Sequence, residues 1–309
     1  MTFPVAPLLR ELGRGKKGSR ALTREQAHEL FAAILDGAVG ELELGGVLIA
    51  LRMKGETAPE IAGFLDALQP QLMRVHNERP CVVIPTYNGA RQMPNLVPLL
   101  ALALAREGVP VLIHGQHSEP ATAVRPRVRV TTLEILQALD IESCASVDEA
   151  PRRWAAEEPA FLPLEAVAPS LSRLIALRRR LGVRNVAHTL AKLIAPTLGP
   201  SLLLSCYTHP EFGQMLGELF ALTGTAALSM RGTEGEAVAN ARRPRTMERW
   251  VHGTMQVVGA DENAPEVELP APDAHATAAW TRDVLAQRVP MPGALSTQIE
   301  IIRQTLALL

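Results

Sequence analysis

The chain has 309 residues, of which 47% are hydrophobic and 20% charged, with a net charge of −1. This balance excludes a disordered chain and a protein whose whole surface is basic. Its three cysteines, Cys81, Cys144 and Cys206, lie far apart without a CxxC spacing, which is typical of a reducing compartment. No apolar run reaches the roughly 20 residues of a membrane span, and apolar residues precede basic ones at the N-terminus, unlike in a signal peptide. We therefore expect a cytoplasmic protein that is not bound to a membrane.

The first 75 residues carry the signals of a small helical domain. Two capping-box patterns, Thr23-x-x-Gln26 and Thr57-x-x-Glu60, each predict the start of a helix. Apolar residues recur at helical spacing after both patterns. We assign residues 1–75 to a helical domain on this basis.

Adjacent glycines interrupt the helix predicted at residues 43–54. Gly45 and Gly46 each cost about 1 kcal/mol of helix stability relative to alanine. A close helix–helix approach would offset that cost. The pattern leaves open whether this helix packs inside the domain or against a second subunit.

The pattern changes to alternating strands and helices after residue 76. Apolar runs at 81–85 and 109–113 are typical of buried strands, and a helix is predicted between them at 95–107. This βαβ unit implies parallel strands with a right-handed crossover. Ligands of such sheets bind beyond the carboxyl ends of the strands, where the loops 85–94 and 114–120 are expected.

Later segments continue this alternation, so we assign residues 76–309 to a larger α/β domain. Strands are predicted at 201–206 and 226–230. Helices are predicted at 170–181, 185–194, 210–222, 274–287 and 296–308.

Several strings together resemble a known family. They are LELGGVLIALRMKGE, IPTYNGARQMPNL, VLIHG, RRRLGVRNVAHTLAKL and RGTEGEAVAN. The chain resembles the anthranilate phosphoribosyltransferase superfamily (glycosyltransferase family 3), and more closely its YbiB-type branch of nucleic-acid-binding proteins. The resemblance implies an α/β fold: a small N-terminal helical domain plus a larger domain with a mainly parallel central sheet flanked by helices, as in nucleoside phosphorylases and phosphoribosyltransferases. It also implies a homodimer formed through the helical domain.

The enzymes of this superfamily cradle the diphosphate of phosphoribosyl pyrophosphate on a glycine-rich loop after the first strand. Such a loop brings bare backbone N–H groups close to phosphate oxygens. Here the loop contains Tyr87, Asn88, Gly89 and Arg91, so one glycine stands where the enzymes have three. We therefore expect that this chain has no working diphosphate loop.

Two further enzyme motifs survive only in part. Asn95 is kept without the serine and threonine that follow it in the enzymes, and His114-Gly115 is kept without the flanking lysine and arginine. The expected remnant of the substrate pocket is Asn88, Gly89, Asn95, His114 and Gly115.

The magnesium-binding acids of the enzymes are also replaced. Ala237 and Val238 stand at their place, while Glu234 and Glu236 lie nearby but out of register. We therefore predict no catalytic residue, no metal and no cofactor, with magnesium expected only if the chain is an enzyme after all.

Basic residues gather in two segments. No Asp or Glu occurs from residue 166 to 210, and a glycine-broken basic loop lies near the N-terminus. Such segments favour contacts with phosphate, although solvated helix faces or internal ion pairs are the alternatives. Tyr87 either stacks on a base beside Arg91 or fills the vacated diphosphate pocket. The candidate nucleic-acid-binding residues are Arg14, Lys16, Lys17, Arg20, Tyr87, Arg91, Arg178, Arg179, Arg180, Arg184 and Lys192.

We interpret these features as non-catalytic, sequence-independent binding of nucleic acid by a basic groove on a phosphoribosyltransferase-like scaffold. Single strands are slightly favoured, because no groove-reading motif is evident. The alternatives are a phosphoribosyltransferase with an altered diphosphate site and a dimeric scaffold that binds a protein partner.

Overall fold

A computed structural model describes residues 3–15, 18–116, 129–259 and 267–309. Lys16 and Lys17 lie outside the described residues, as does most of the predicted loop 114–120. The elements named below belong to the described ranges.

Four helices form the N-terminal part of the molecule: α1 Val5–Leu12, α2 Arg24–Leu35, α3 Glu41–Lys54 and α4 Ala58–Leu68. A single 3₁₀ turn, Gln69–Gln71, follows. Both predicted capping boxes are confirmed, at the first residues of α2 and α4. The helices α2 and α4 pack closely, since a Cβ at Gly63 would lie 2.1 Å from the carbonyl oxygen of Arg24. The Phe31 and Phe64 rings meet between these two helices with centroids 5.1 Å apart.

The second part is built on a sheet of seven strands in the order β3-β2-β1-β4-β5-β6-β7. Strands β1 to β5 are parallel, and β6 and β7 form an antiparallel hairpin on one edge. The strands are β1 Cys81–Thr86, β2 Val111–Gly115, β3 Ala160–Pro163, β4 Ser201–Tyr207, β5 Ala227–Arg231, β6 Met247–Val251 and β7 Thr254–Val258. The α/β fold with its mainly parallel sheet is confirmed.

Helices of very different lengths connect and cover the strands. They are α5 Val97–Arg106, α6 Thr132–Ala138, α7 Ala150–Ala155, α8 Leu164–Val167, α9 Pro169–Ala176, α10 Arg178–Leu181, α11 Ala187–Leu190, α12 Pro210–Thr223, α13 Ala274–Leu285 and α14 Gly293–Leu306, with a 3₁₀ turn at Val147–Glu149. The prediction of one helix at 170–181 is wrong in one respect, because this segment forms two helices, α9 and α10. The helix predicted at 185–194 shrinks to the single turn α11. None of the described helices is both long and apolar enough to cross a bilayer.

The core lies on both faces of the sheet. One cluster joins the helical domain to one face, through residues such as Phe31, Leu48 and Val83. The other cluster, with Ile84 and Ile299, packs α5, α13 and α14 against the opposite face. Because β1 is buried along its whole length, its sequence is continuously apolar up to Pro85.

The chain order of the strands reverses between β1 and β4. The crossover from β1 leads outward to β2, whereas the crossover from β4 leads the other way to β5. In open parallel sheets this reversal creates a crevice at the carboxyl ends, where ligands bind. The candidate site is therefore expected at the carboxyl ends of β1 and β4.

Candidate functional site

Two loops meet over the carboxyl ends of the central strands. Residues 87–93 follow β1, and residues 232–236 follow β5. The second loop is closed by a bridge between Thr233 and Glu236. The two glutamates of the second loop, Glu234 and Glu236, point into the first loop and occupy the space between the two loops.

Glu236 occupies the inner half of the crevice. Its Oε1 atom accepts hydrogen bonds from the backbone N–H groups of Asn88 at 2.8 Å and Gly89 at 2.6 Å. Burial raises the pKa of this carboxyl, while the nearby Lys192 ammonium and the two N–H donors oppose the rise. Lys192 itself donates to the carbonyl oxygen of Gly235 at 3.0 Å. The side chain is therefore a buried acid held by backbone donors.

Glu234 occupies the outer half. Its carboxylate accepts from the backbone N–H groups of Arg91 at 3.1 Å, Gln92 at 2.6 Å and Met93 at 2.8 Å. The Arg129 guanidinium lies 3.6 Å away. Glu234 has φ +52°, in the left-handed region that residues other than glycine seldom adopt. The backbone thus accepts some strain to direct this carboxylate at the loop.

Together the two carboxylates engage five successive or near-successive backbone N–H groups of one loop. Convergent backbone N–H groups of this kind form an anion-binding nest. The loop therefore keeps the donor geometry of an anion site, and Glu234 and Glu236 supply the anions from within the chain. We name these residues the carboxylate plug.

Half-buried Tyr87 and buried His114 form a hydrogen-bonded pair beside the plug. The Tyr87 hydroxyl lies 2.7 Å from His114 Nδ1, and His114 Nε2 lies 3.1 Å from the carbonyl oxygen of Ile194. Since a carbonyl only accepts, Nε2 carries the proton and Nδ1 accepts from the tyrosine. Burial lowers the pKa of His114 to about 4, so its ring is neutral near pH 7. The Tyr87 hydroxyl is therefore engaged inside the protein, and whether its ring also stacks on a base stays a prediction.

The other predicted pocket residues are engaged inside the protein as well. Asn95 is buried, with its amide donating to Thr132 Oγ1 at 3.1 Å. Gly115 ends β2 against β1, where a Cβ would lie 2.3 Å from the carbonyl oxygen of Thr86. Asn88 donates to the Gly235 carbonyl at 2.6 Å and accepts from Arg184 at 2.8 Å. The predicted remnant of the pocket therefore lies together but is closed by its own contacts.

The basic segment at 178–184 lies next to this crevice, connected to it by the Arg184–Asn88 hydrogen bond. Arg179 is exposed, whereas Arg178 is half-buried. Arg180 is exposed and forms a two-bond pair with Glu41 at the start of α3, at 3.2 and 3.0 Å. The three arginines therefore do not share one pocket.

The remaining predicted cations are dispersed. Arg91 is exposed on the loop after β1. Near the N-terminus, Glu11 accepts from Arg14 at 2.7 Å and lies 3.8 Å from Arg20. Lys192 is half-buried and turned towards Gly235, so it serves the plug more than the outer surface.

The residues at the crevice do not fit magnesium. A hard cation needs several oxygen ligands free to face it, but both Glu234 oxygens and Glu236 Oε1 accept from backbone N–H groups. Of the four plug oxygens, that leaves Glu236 Oε2, which has no hydrogen-bond partner among the described residues. The Lys192 ammonium stands beside Glu236 and would repel a second cation. In the described ranges no cluster of three or more His, Cys, Asp or Glu side chains has the arrangement of a metal site.

Sequence reasoning missed two features of this edge of the sheet. It noted Glu234 and Glu236 only as acids out of register with the magnesium-binding pair of the enzymes. Hydrogen bonds from backbone N–H groups more than 140 positions away leave no local pattern in the sequence. It also passed over the run Ala-Arg-Arg-Pro-Arg at 241–245, whose Arg243 and Arg245 line a groove with Arg231. The three arginines between residues 242 and 245 are a local concentration of positive charge that the sequence alone shows.

The fold defined by these observations is that of the phosphoribosyltransferases with a helical N-terminal domain. Residues 6–70 match the helical bundle domain of the glycosyl transferase family. Anthranilate phosphoribosyltransferase from Thermus thermophilus has a similar structure, with a TM-score of 0.69 and 20% identity over 97% of this chain and 95% of that one. The Saccharomyces cerevisiae enzyme, solved in complex with PRPP and Mg, gives a TM-score of 0.65 at 14% identity, over 98% and 94% of the two chains.

Sequence comparison narrows the assignment. The chain is 39% identical to YbiB of Escherichia coli K12 over 298 residues, which cover 94% of this chain and 91% of YbiB. It is 29% identical to anthranilate phosphoribosyltransferase from Symbiobacterium thermophilum, over 74% of this chain and 64% of the enzyme. The chain belongs to the anthranilate phosphoribosyltransferase superfamily, on its YbiB-type branch, as the resemblance predicted.

Proposed function

We propose that this protein is a non-catalytic, sequence-independent nucleic-acid-binding protein on a phosphoribosyltransferase scaffold. The carboxylate plug carries the non-catalytic part of the proposal, and the exposed arginines beside the crevice support the binding part. Glu234 and Glu236 use the backbone donors that an incoming diphosphate would need. A diphosphate would have to displace two carboxylates and would meet their repulsion in a partly buried site.

The plug also supports the loss of catalysis on chemical grounds. Transfer from a diphosphate requires its developing charge to be neutralised by cations or a metal in the transition state. Here the nearest ammonium, that of Lys192, lies beside Glu236, and the neighbouring His114 is neutral. The Arg129 guanidinium likewise lies 3.6 Å from Glu234, so the cations nearest the loop already face carboxylates of the chain itself.

The basic segment supplies the proposed phosphate contacts. Arg179 and Arg180 are exposed beside the crevice, and Arg184 reaches Asn88 on its rim. Arg91 extends the same edge from the loop after β1. Arginine side chains suit contacts to phosphate, because such contacts need charge and carry no sequence information.

A second copy of the chain would extend this surface. One side of α3 exposes Leu42, Ile49 and Met53, with exposed fractions of 86%, 38% and 76%. Gly45 lies on the same stripe, and a Cβ there would meet nothing within 4 Å, whereas Gly46 faces Leu9 of α1 at 3.2 Å. We propose that this stripe is the homodimer contact. The Arg180–Glu41 pair joins the segment 178–184 to the start of α3, so it would hold the basic segment of each protomer close to this dimer contact.

The test is a salt titration with single-stranded and duplex DNA of unrelated sequences. Log affinity should fall linearly with log salt, and all sequences should bind with similar strength. The triple variant R178A/R179A/R180A should bind every sequence more weakly, with a slope that is smaller by about 0.7 to 0.9 for each phosphate that the variant no longer neutralises.

A matched control removes the same charge elsewhere. Arg106, Arg282 and Arg303 lie on α5, α13 and α14, which pack on the opposite face of the sheet. The variant R106A/R282A/R303A should bind DNA as the parent does. Absence of DNA and RNA binding by the parent at about 50 mM salt, where phosphate-driven binding is strong, would overturn the proposal.

A further inference from the structure

A second concave surface lies on the carboxyl edge of the sheet, separate from the plugged crevice. It is a groove of about 970 Å³ between α12, the end of β5 and the β6–β7 hairpin. This volume is within the range of pockets that hold ligands of nucleotide size. We call it the arginine groove, because Arg231, Arg243 and Arg245 line it.

The three arginines give the groove its charge. All three are exposed, and within the described ranges no carboxylate lies within 4.0 Å of their guanidinium groups. The groove also contains two acids that have other partners. Glu218 accepts from Gln214 at 3.1 Å, and Glu248 accepts from the Trp250 indole at 3.4 Å.

An aromatic floor lies beneath this charge. Tyr207 ends β4 and Trp250 lies on β6, and both rings rest against α12 where the helix carries glycine. A Cβ at Gly213 would lie 3.0 Å from the Tyr207 ring, and one at Gly217 would lie 3.1 Å from the Trp250 ring. These two glycines, one helical turn apart, let the rings sink towards the helix and so deepen the groove.

The charges and the floor are close to one another. Burial raises the pKa of Tyr207, as does Glu248, and the guanidiniums of Arg231 and Arg245 oppose the rise. Exposed Met255 of β7 forms the opposite lip. The groove thus combines cations that suit a phosphate with flat and polarizable side chains that suit a ring.

We propose that the arginine groove is a nucleotide site, in which Arg231, Arg243 and Arg245 bind a phosphate and Tyr207 with Met255 contacts the base. Arginine pairs with phosphate through two parallel charge-assisted hydrogen bonds, and aromatic faces accept bases of any sequence. The ligand is either a free nucleotide or the terminal nucleotide of a strand. The proposal goes beyond the proposed function, because it does not need the segment at 178–184.

The experiment measures binding of adenosine 5′-monophosphate by calorimetry. The parent should bind with a dissociation constant below about 1 mM. R243A and R245A should each weaken binding by about tenfold or more, as expected for loss of a charge-assisted hydrogen bond. R242A is the matched control, since Arg242 is exposed in the same run without lining the groove, and it should change the affinity by less than about twofold.

Two further probes separate the parts of the ligand. Adenosine lacks the phosphate and ribose 5-phosphate lacks the base, and both should bind more weakly than the mononucleotide. A 5′-phosphorylated oligothymidylate that displaces the mononucleotide identifies a strand end as the ligand, and failure to displace it identifies a free nucleotide. Both results support the site.

Three outcomes overturn the proposal. They are no binding of the mononucleotide by the parent, equal binding of adenosine, and an equal loss in R242A. None of them depends on the proposed function, which is tested by DNA binding of R178A/R179A/R180A. If the parent fails to bind the mononucleotide while R243A and R245A still bind DNA, the nucleotide-site proposal is overturned and the proposed function is not.

Discussion

Acidification should destabilise the protein through His114, a buried residue next to the plugged crevice. Its ring is fully buried and neutral, with Nδ1 accepting from Tyr87 and Nε2 donating to Ile194. Burial lowers the pKa of His114 from 6.5 to about 4. The unfolded chain therefore binds a proton below pH 6.5 that the folded chain binds only near pH 4.

The sign and size of the effect follow from this difference. The contribution of His114 to stability is complete above pH 6.5 and is lost as the pH falls towards 4. A difference of about 2.5 pH units corresponds to about 3 kcal/mol in the free energy of unfolding. Typical domains are stable by only about 5–15 kcal/mol, so this loss is measurable.

The assay is urea denaturation at several pH values between 7 and 4, for the parent and for His114→Gln. Glutamine is neutral throughout this range, with an amide that can donate to Ile194 and accept from Tyr87. The parent should lose about 3 kcal/mol more than this variant across the range. Carboxyl groups, including Glu236 with its raised pKa, titrate in both proteins and cancel in the comparison.

His28→Gln is the matched control, because His28 is exposed on α2. It should keep the pH dependence of the parent. Parallel loss of stability in the parent and in His114→Gln would refute the reasoning, since another group would then carry the pH dependence.

Phosphoribosyl pyrophosphate and anthranilate with magnesium should give no product at rates typical of enzymes, about 1 per second or more, in a direct assay of phosphoribosyl transfer. In DNA-binding titrations Arg179→Ala should lower the salt slope by about 0.7 to 0.9, and Arg180→Ala by less, because Glu41 already pairs with Arg180; equal changes would contradict this account. Leu42→Lys should convert the expected dimer to a monomer at micromolar concentration in light scattering, since it places a charge on the exposed stripe of α3. Gly89→Ala should destabilise the fold by about 1 kcal/mol or more in urea, because φ is +61° and a Cβ would lie 2.7 Å from a carbonyl oxygen; unchanged stability would argue against the loop geometry.

The carboxylate plug gives a physical account of the conformation of the loop after β1. Backbone N–H groups that converge on one point are costly to leave without partners when they are partly buried. In this chain Glu234 and Glu236 satisfy them from within. The loop after β1 thus keeps its conformation without a bound anion.

The sequence by itself determined the elements whose signals are local. The capping boxes at Thr23 and Thr57 set the starts of α2 and α4, because the caps involve residues only three positions apart. Strand β1 was predicted because a strand buried on both faces is continuously apolar. The family resemblance, carried by short strings, indicated the order of the domains and the place of the candidate site.

Local signals were too weak for other elements. Strand β3 has only four residues, and the β6–β7 hairpin carries charged and exposed side chains at the edge of the sheet. The sequence at 170–181 predicted one continuous helix, but the helix divides at Leu177 into α9 and α10. A strand of four residues is too short for a period to show, and the exposed hairpin buries little apolar surface, so neither gives a clear pattern in the sequence.

Only the tertiary structure decided the chemistry of the site. The hydrogen bond between Gly89 and Glu236 joins residues 147 positions apart, and no spacing in the sequence predicts it. The contact of the Tyr87 hydroxyl with His114, 2.7 Å long, joins residues 27 positions apart and is likewise invisible in the sequence. The arginine groove likewise needs α12 to bring Tyr207 and Arg245 to one surface. Charge and residue type are properties of the sequence, but which charges meet, and which backbone donors they satisfy, depends on how distant segments pack.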